Sequence, residues 1–285
     1  MISVLSVAAN MDSWAVVLSI ALCTLGLAVY FLFLYRPWAG PRTRYPVLLV
    51  HGVFGFDEIE IGAKTHQYFR GIPEYLSRLG VEVHVYQGLM TSTIPERAMR
   101  LAKYLRNMQA KKVNIIAHSM GGLDARYAIS KLNCSDKVAS LTTIGTPHRG
   151  SPVADFGDAL LRRLGLLKLV QSLKDPLGAM SSLTTQSLEE FNRTIHDVSG
   201  VYYASVICAI DSQIVLPHPL LIPTNHQIEK THGPNDGMVP ESSQKWGNAL
   251  DRICVDHWGE VGWSNHFDAN PVYRNILLHL RKKGL

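Results

Sequence analysis

The stretch Ala117-His118-Ser119-Met120-Gly121-Gly122 lies between an apolar run at 112–117 and a segment of helical periodicity at 123–131. A serine on a sharp strand-to-helix turn needs small residues two positions before and two after it, because the turn presses neighbouring backbone together. Ala117 stands where this pattern usually has glycine, and Gly121 supplies the second small residue. The helix that follows brings unpaired N–H groups and a positive partial charge to the hydroxyl. Such a serine can attack an acyl carbon. At neutral pH it does so only with a histidine base, and the base needs a carboxylate to fix its tautomer.

With an elbow of this kind the acid and then the base follow the serine along the chain. The best acid is Asp236, in the tight polar turn Gly233-Pro234-Asn235-Asp236-Gly237 between apolar segments, with Asp211 as runner-up. As a bland alternative, Asp236 is simply an Asx-turn residue. Two histidines follow at workable spacing, His257 and His266, and spacing alone does not separate them. His279 falls on a basic terminal helix and is expected in solvent. A negatively charged tetrahedral intermediate needs two backbone donors, one from the residue after the nucleophile and one from a loop after an early strand. Met120 and Val53, the latter in His51-Gly52-Val53, are the candidates, and His51 reads as a loop-fixing residue.

The elements that must carry these residues alternate. Apolar runs at 45–50, 81–86, 112–117, 138–144 and 201–210 read as strands buried on both faces. Helical periodicity separates several of them, at 72–79, 97–109 and 123–131. Strands alternating with helices imply an α/β fold, a mostly parallel sheet with helices on both faces and chemistry beyond the carboxyl ends of the strands. Residues 151–195 form a longer helical insert. Phe156, Leu160, Leu164 and Leu167 share one face, and Leu188, Phe191 and Ile195 share another. Such a segment is either a lid that opens on lipid or plain core packing.

Ahead of this domain, residues 14–35 carry no charge, with Trp14 and Tyr35 at the two ends. About 20 apolar residues suffice to span a bilayer, so this run is expected to be an uncleaved single-pass anchor. It follows a tail at 1–13 and precedes a stiff linker at 36–44 containing Pro37, Gly40 and Pro41; the catalytic domain is then 45–285. Arg36, Arg42 and Arg44 follow the run and nothing basic precedes it, which places the domain in the cytoplasm by the positive-inside rule. The net charge of +5 comes from scattered Lys and Arg rather than a basic stripe with interleaved aromatics, so nucleic acid is not an expected partner. The four cysteines, Cys23, Cys134, Cys208 and Cys254, show no metal-binding spacing. A Cys208–Cys254 bridge is less expected than free thiols.

Together, Val50-His51-Gly52-Val53-Phe54-Gly55-Phe56-Asp57, the elbow, residues 182–192 (SLTTQSLEEFN) and Asn235-Asp236-Gly237-Met238-Val239 resemble the bacterial triacylglycerol lipases of the Pseudomonas, Burkholderia and Proteus group. The resemblance covers nearly all of 45–285 and implies the α/β-hydrolase fold, a helical lid at 151–195, and esters of acyl glycerols as substrates. It also implies His257 as the base, since Asp256-His257-Trp258-Gly259-Glu260-Val261 matches the family's histidine segment. Two features depart from that family. Its calcium aspartates fall where this chain has Gly259 and, in Val215-Leu216-Pro217, no carboxylate. Calcium takes several hard oxygen ligands, so no calcium and no other cofactor or metal is expected. The apolar N-terminal run is the second departure, and the mostly secreted habit of such relatives favours a periplasmic over a cytoplasmic domain. The expected activity is hydrolysis of carboxylic esters through Ser119, Asp236 and His257. Acyl transfer to another alcohol by the same residues is the alternative, and an inert membrane-tethered binding scaffold the remoter one.

Overall fold

The computed structural model describes residues 22–25, 41–53, 58–61, 64–89, 92–163, 177–211 and 216–285. The chain divides into two compact units, Met1–Gly40 and Pro41–Leu285. Of the first, only residues 22–25 are described, as exposed helix. The rest of the expected anchor at 14–35, the tail at 1–13 and linker residues 36–40 lie outside the described residues. No described helix is long and apolar enough to cross a membrane.

The second unit is built on six parallel strands: β1 (Val47–Val50), β4 (Val83–Tyr86), β5 (Val113–His118), β6 (Val138–Ile144), β7 (Tyr202–Cys208) and β8 (Asn248–Ile253). Their order across the sheet is β4-β1-β5-β6-β7-β8, and a separate antiparallel pair, β2 (Glu58–Ile61) and β3 (Lys64–Gln67), follows β1. Side chains alternate across a strand, and the two cores follow that alternation. Val47, Leu49, Ile116 and Val206 face one way, under α1 (Ile72–Arg78) and α9 (Asn270–Lys282). Leu48, Val50, Ile115 and Ala117 face the other, under α2 (Ile94–Asn107) and α3 (Gly121–Lys131). This is the three-layer arrangement expected from a sheet apolar on both faces.

Three expectations need amendment. The sheet has a strand that hydrophobicity did not reveal: β8 is an edge strand in which Asn248, Ala249, Asp251 and Arg252 are exposed. His279 is not free in solvent; it is half-buried, and its Nε2 lies 2.7 Å from the Tyr202 hydroxyl. The insert divides between its two readings. In α4 (Pro152–Arg163) Phe156 and Leu160 are exposed, whereas in α6 (Thr185–Thr194) Leu188 is fully buried, as is the following Ile195. Leu164 and Leu167 lie outside the described residues, and α5 (Leu177–Ser182) connects to α6. All four cysteines are free thiols.

Candidate active site

The carboxyl end of β5 delivers Ser119 with φ +54°, a left-handed conformation rare for a residue bearing a Cβ. The surroundings enforce it. Ser119 N–H donates to the Ile144 carbonyl (2.9 Å), and its own carbonyl accepts from the Thr146 hydroxyl (2.7 Å). A Cβ on Gly121 would lie 2.6 Å from the His51 carbonyl oxygen, so only glycine lets α3 start this close to β1. Strain held in this way by its neighbours is characteristic of functional sites.

Two later loops converge on the serine. After β7, a turn holds Asp236, whose Oδ1 accepts the N–H groups of Met238 (2.8 Å) and Val239 (2.7 Å). Its Oδ2 accepts from Gln244 Nε2 at 3.1 Å, in α8 (Glu241–Gln244), and Gln244 also clamps both backbone groups of Cys208 at the end of β7. After β8 comes His257. Its backbone N–H donates to the Asp236 carbonyl (2.8 Å), its Nδ1 lies 3.0 Å from Asp236 Oδ2, and its Nε2 lies 3.0 Å from Ser119 Oγ. An ionised carboxylate can only accept, so Nδ1 carries the hydrogen and Nε2 presents a lone pair to the hydroxyl. Both alternatives from the sequence stand apart: His266 is exposed and bonded at its N–H to Ser264 Oγ, and Asp211 is exposed.

The loop after β1 supplies the fourth part. Arg97, buried on α2, donates from Nη2 to the carbonyls of His51 (3.0 Å) and Gly52 (3.1 Å) and from Nη1 to that of Leu89, while its Nε donates to Asp124 Oδ2 (2.8 Å). His51 Nε2 accepts the Gly88 N–H (3.1 Å), so Nδ1 is the protonated nitrogen and donates to the Gly52 carbonyl (2.9 Å). Two donors therefore pin one face of the 52–53 peptide. In a trans peptide the N–H points opposite the C=O, so the Val53 N–H is turned away from Arg97 and His51. Among the described residues neither the Val53 nor the Met120 N–H has an intramolecular acceptor. A Cβ on Gly52 would meet Ser119 Cβ at 2.7 Å, which sets how closely this loop crosses the nucleophile.

Glu260 lies beneath the histidine, fully buried, with Oε2 3.0 Å from His118 Nε2 and Oε1 3.8 Å from His257 Nδ1. Burial and the adjacent Asp236 push its carboxyl well above the usual range. Sequence reasoning assigned no part to Glu260, Gln244, Tyr68 or Arg97. Arg97 alone left a local signal, a guanidinium on the apolar face of α2 beside Ala98 and Leu101.

The donor set does not fit the calcium ion that the resemblance brings with it. Asp256, next to the histidine, is occupied: Oδ2 accepts the His218 N–H (2.7 Å), and Oδ1 accepts those of Gly259 (2.7 Å) and Trp258 (3.2 Å). A Cβ at Gly259 would sit 2.5 Å from Val255 Cγ2, leaving no room for an aspartate there, and Leu216 is an exposed apolar side chain. His118, His257 and Glu260 bring potential ligand atoms within 4.8 Å of one another, yet the ring nitrogens are engaged with Tyr68, the His257 carbonyl, Asp236 and Ser119.

The chain is similar to proteins of known sequence and fold. Residues 89–169 match a family model described as a PGAP1-like alpha/beta domain. A triacylglycerol lipase of Vibrio cholerae is 32% identical over 288 residues, covering 86% of this chain and 90% of that protein. Triacylglycerol lipase 2 of Saccharomyces cerevisiae is 33% identical over 70% of this chain and 63% of its own length. For a Burkholderia plantarii triacylglycerol lipase the identity is 36% over 53% of this chain, and the match spans about half of that protein, 48%. Among solved structures, the mature Bacillus licheniformis lipase BlEst2 superposes with a TM-score of 0.64 at 22% identity, over 82% of this chain and 91% of that one. The Staphylococcus hyicus lipase does so with 0.66 at 18%, over 86% and 98%.

Proposed function

Because the chain belongs to the triacylglycerol lipase family, we propose that it hydrolyses acyl glycerols through Ser119, His257 and Asp236. The observation that carries this reading is the unbroken line from Asp236 Oδ2 through the His257 ring to Ser119 Oγ, 3.0 Å at each step. His257 Nε2 takes the serine proton as Oγ attacks the ester carbonyl, and Asp236 stabilises the imidazolium that forms. The oxyanion is held by the N–H groups of Val53 and Met120, with the N-terminus of α3 behind them. His257 then returns the proton to the leaving glycerol oxygen. Water, deprotonated by the same nitrogen, releases the fatty acid and restores the serine.

Ser119 is only 8% exposed, so something must move for a long acyl chain to enter. The exposed apolar face of α4, with Phe156 and Leu160, supports the insert 151–195 as the part that moves on meeting lipid. The uncharged run 14–35 supports a single-pass membrane anchor for the same enzyme. The arginines after it argue for a cytoplasmic catalytic domain, and the secreted habit of similar lipases for a periplasmic one. Alkaline extraction of membranes tests the anchor, and protease access in intact cells tests the side.

The deciding experiment is labelling with an organophosphate ester together with rates on short- and long-chain esters. Wild-type enzyme labels at Ser119 and hydrolyses both, while Ser119→Ala does neither. Full activity in Ser119→Ala would overturn the proposal.

A further inference from the structure

Tyr68 enters the site from the segment that follows β3, far in sequence from every element it touches. Its hydroxyl accepts the Gly52 N–H (3.2 Å) and lies 2.6 Å from His118 Nδ1. The other nitrogen of His118 lies 3.1 Å from the carbonyl of His257. Glu260 Oε2 lies 3.0 Å from the same nitrogen but makes no hydrogen bond; the carbonyl is the partner and has no proton to give, so His118 Nε2 carries the hydrogen and Nδ1 is the acceptor. The Tyr68 O–H must then donate to His118, which leaves the oxygen lone pairs facing Gly52. Each direction in the chain follows from the one before: Gly52 N–H to Tyr68, Tyr68 O–H to His118, His118 Nε2–H to His257. Burial and the neighbouring His257 hold His118 well below the usual imidazole range, in keeping with its neutral form.

The chain joins the three pieces that the reaction needs in register. Gly52 belongs to the loop that presents Val53, His118 abuts the nucleophile, and the His257 carbonyl belongs to the base itself. Arg97 and His51 hold the loop by its carbonyls, and Tyr68 is the group that holds its N–H side. Resting on the hydrolase reading above, we infer that Tyr68 and His118 are positioning residues whose relay sets the oxyanion loop against the nucleophile and the base. Tyr68 touches no reacting atom in this role. The Tyr68 hydroxyl is committed at both its proton and its lone pairs, which sets it apart from a tyrosine that awaits a substrate oxygen.

The test is steady-state kinetics of full-length Tyr68→Phe on a soluble p-nitrophenyl ester and on an alkyl ester of the same acid. A displacement of the loop by part of an ångström weakens transition-state contacts and not ground-state binding. The expected result is a fall in kcat of about 10- to 100-fold with KM within about twofold. The loss should be equal for both leaving groups, with the melting temperature little changed. In a His118→Ala background, where the tyrosine has lost its acceptor, Tyr68→Phe should have little further effect; should that background fail to fold, His118→Asn, which keeps an acceptor near Nδ1, should retain the full effect. Unchanged kcat in Tyr68→Phe overturns the relay, as does a loss that is much larger for the alkyl ester, which would place the hydroxyl on the leaving oxygen. Failure of the wild-type enzyme to label at Ser119 would instead defeat the hydrolase reading itself.

Discussion

Replacing Arg97 with methionine should separate folding from catalysis in this protein. Arg97 and Asp124 are both buried, at 2% and 1% exposure, so the pair contributes to stability mainly through what is left when one partner goes. Breaking such a pair typically costs about 3–5 kcal/mol, because the survivor is an uncompensated buried charge. Burial already raises Asp124 to about 6 against the pull of Arg97. Without the guanidinium the carboxyl rises further and takes up a proton at neutral pH, so the penalty should grow as pH increases. Arg97→Met combined with Asp124→Asn removes the charge problem and should recover most of the stability. It does not restore the donors on the His51 and Gly52 carbonyls. Losing an oxyanion donor outright costs about 2.7–4 kcal/mol of transition-state stabilisation. His51 still holds the Gly52 carbonyl, so the double variant should lose part of that, about 10- to 100-fold in kcat. The assay is urea denaturation at two pH values beside kcat on a p-nitrophenyl ester, normalised to sites titrated by organophosphate. A stable double variant with wild-type kcat would refute the argument that Arg97 aims the Val53 N–H.

Other consequences are open to measurement. Asp236→Asn should lower turnover by up to about 10⁴-fold by the triad precedent, with the fold intact by circular dichroism; a loss below tenfold would show that Asp236 does not set the His257 tautomer. Gly52→Ala puts a Cβ 2.7 Å from Ser119 Cβ and should cost at least about 10²-fold in kcat/KM, which wild-type rates in that variant would contradict. Treatment with a divalent-ion chelator should leave melting temperature and activity unchanged, since Asp256 is filled by backbone donors; a sharp drop in either would disprove this. His148 is held neutral, well below 6.5, by burial and by Arg126 and Arg149. The unfolded chain therefore binds a proton that the folded one refuses, and stability falls as pH drops below 6.5, by up to about 1.4 kcal/mol per pH unit from this residue. His148→Gln should flatten that fall in urea titrations between pH 7.5 and 5.5, and an unaltered slope would count against it.

The strands that position the site were legible because their side chains are buried on both faces, so Val47–Val50 reads as a continuous apolar run and Val113–His118 and Val138–Ile144 as uncharged, mostly β-forming ones. The edge strand Asn248–Ile253 was not, because an edge facing water has no need of such a run. Ser119 and the Asp236 turn announced themselves through local backbone demands, small residues around a sharp turn and an Asp-Gly step. Spacing did not separate His257 from His266; only the likeness of residues 256–261 to the family's histidine segment did, since the choice depends on which ring the loop after β8 carries to a serine 138 residues away. Tyr68, Gln244 and Glu260 were hidden for the same reason: their partners lie in other segments of the chain. The half-buried setting of His279 followed from Tyr202, 77 residues earlier, and not from the basic helix around it.

The brace at Asp256 bears on how the enzyme comes into being. Its carboxylate gathers N–H groups from the histidine loop and from His218, 38 residues earlier, so that loop is set by the chain's own collapse. A loop closed by backbone donors calls for no ion at Asp256 as it forms, so the yield on refolding from urea should be the same with and without added divalent ions.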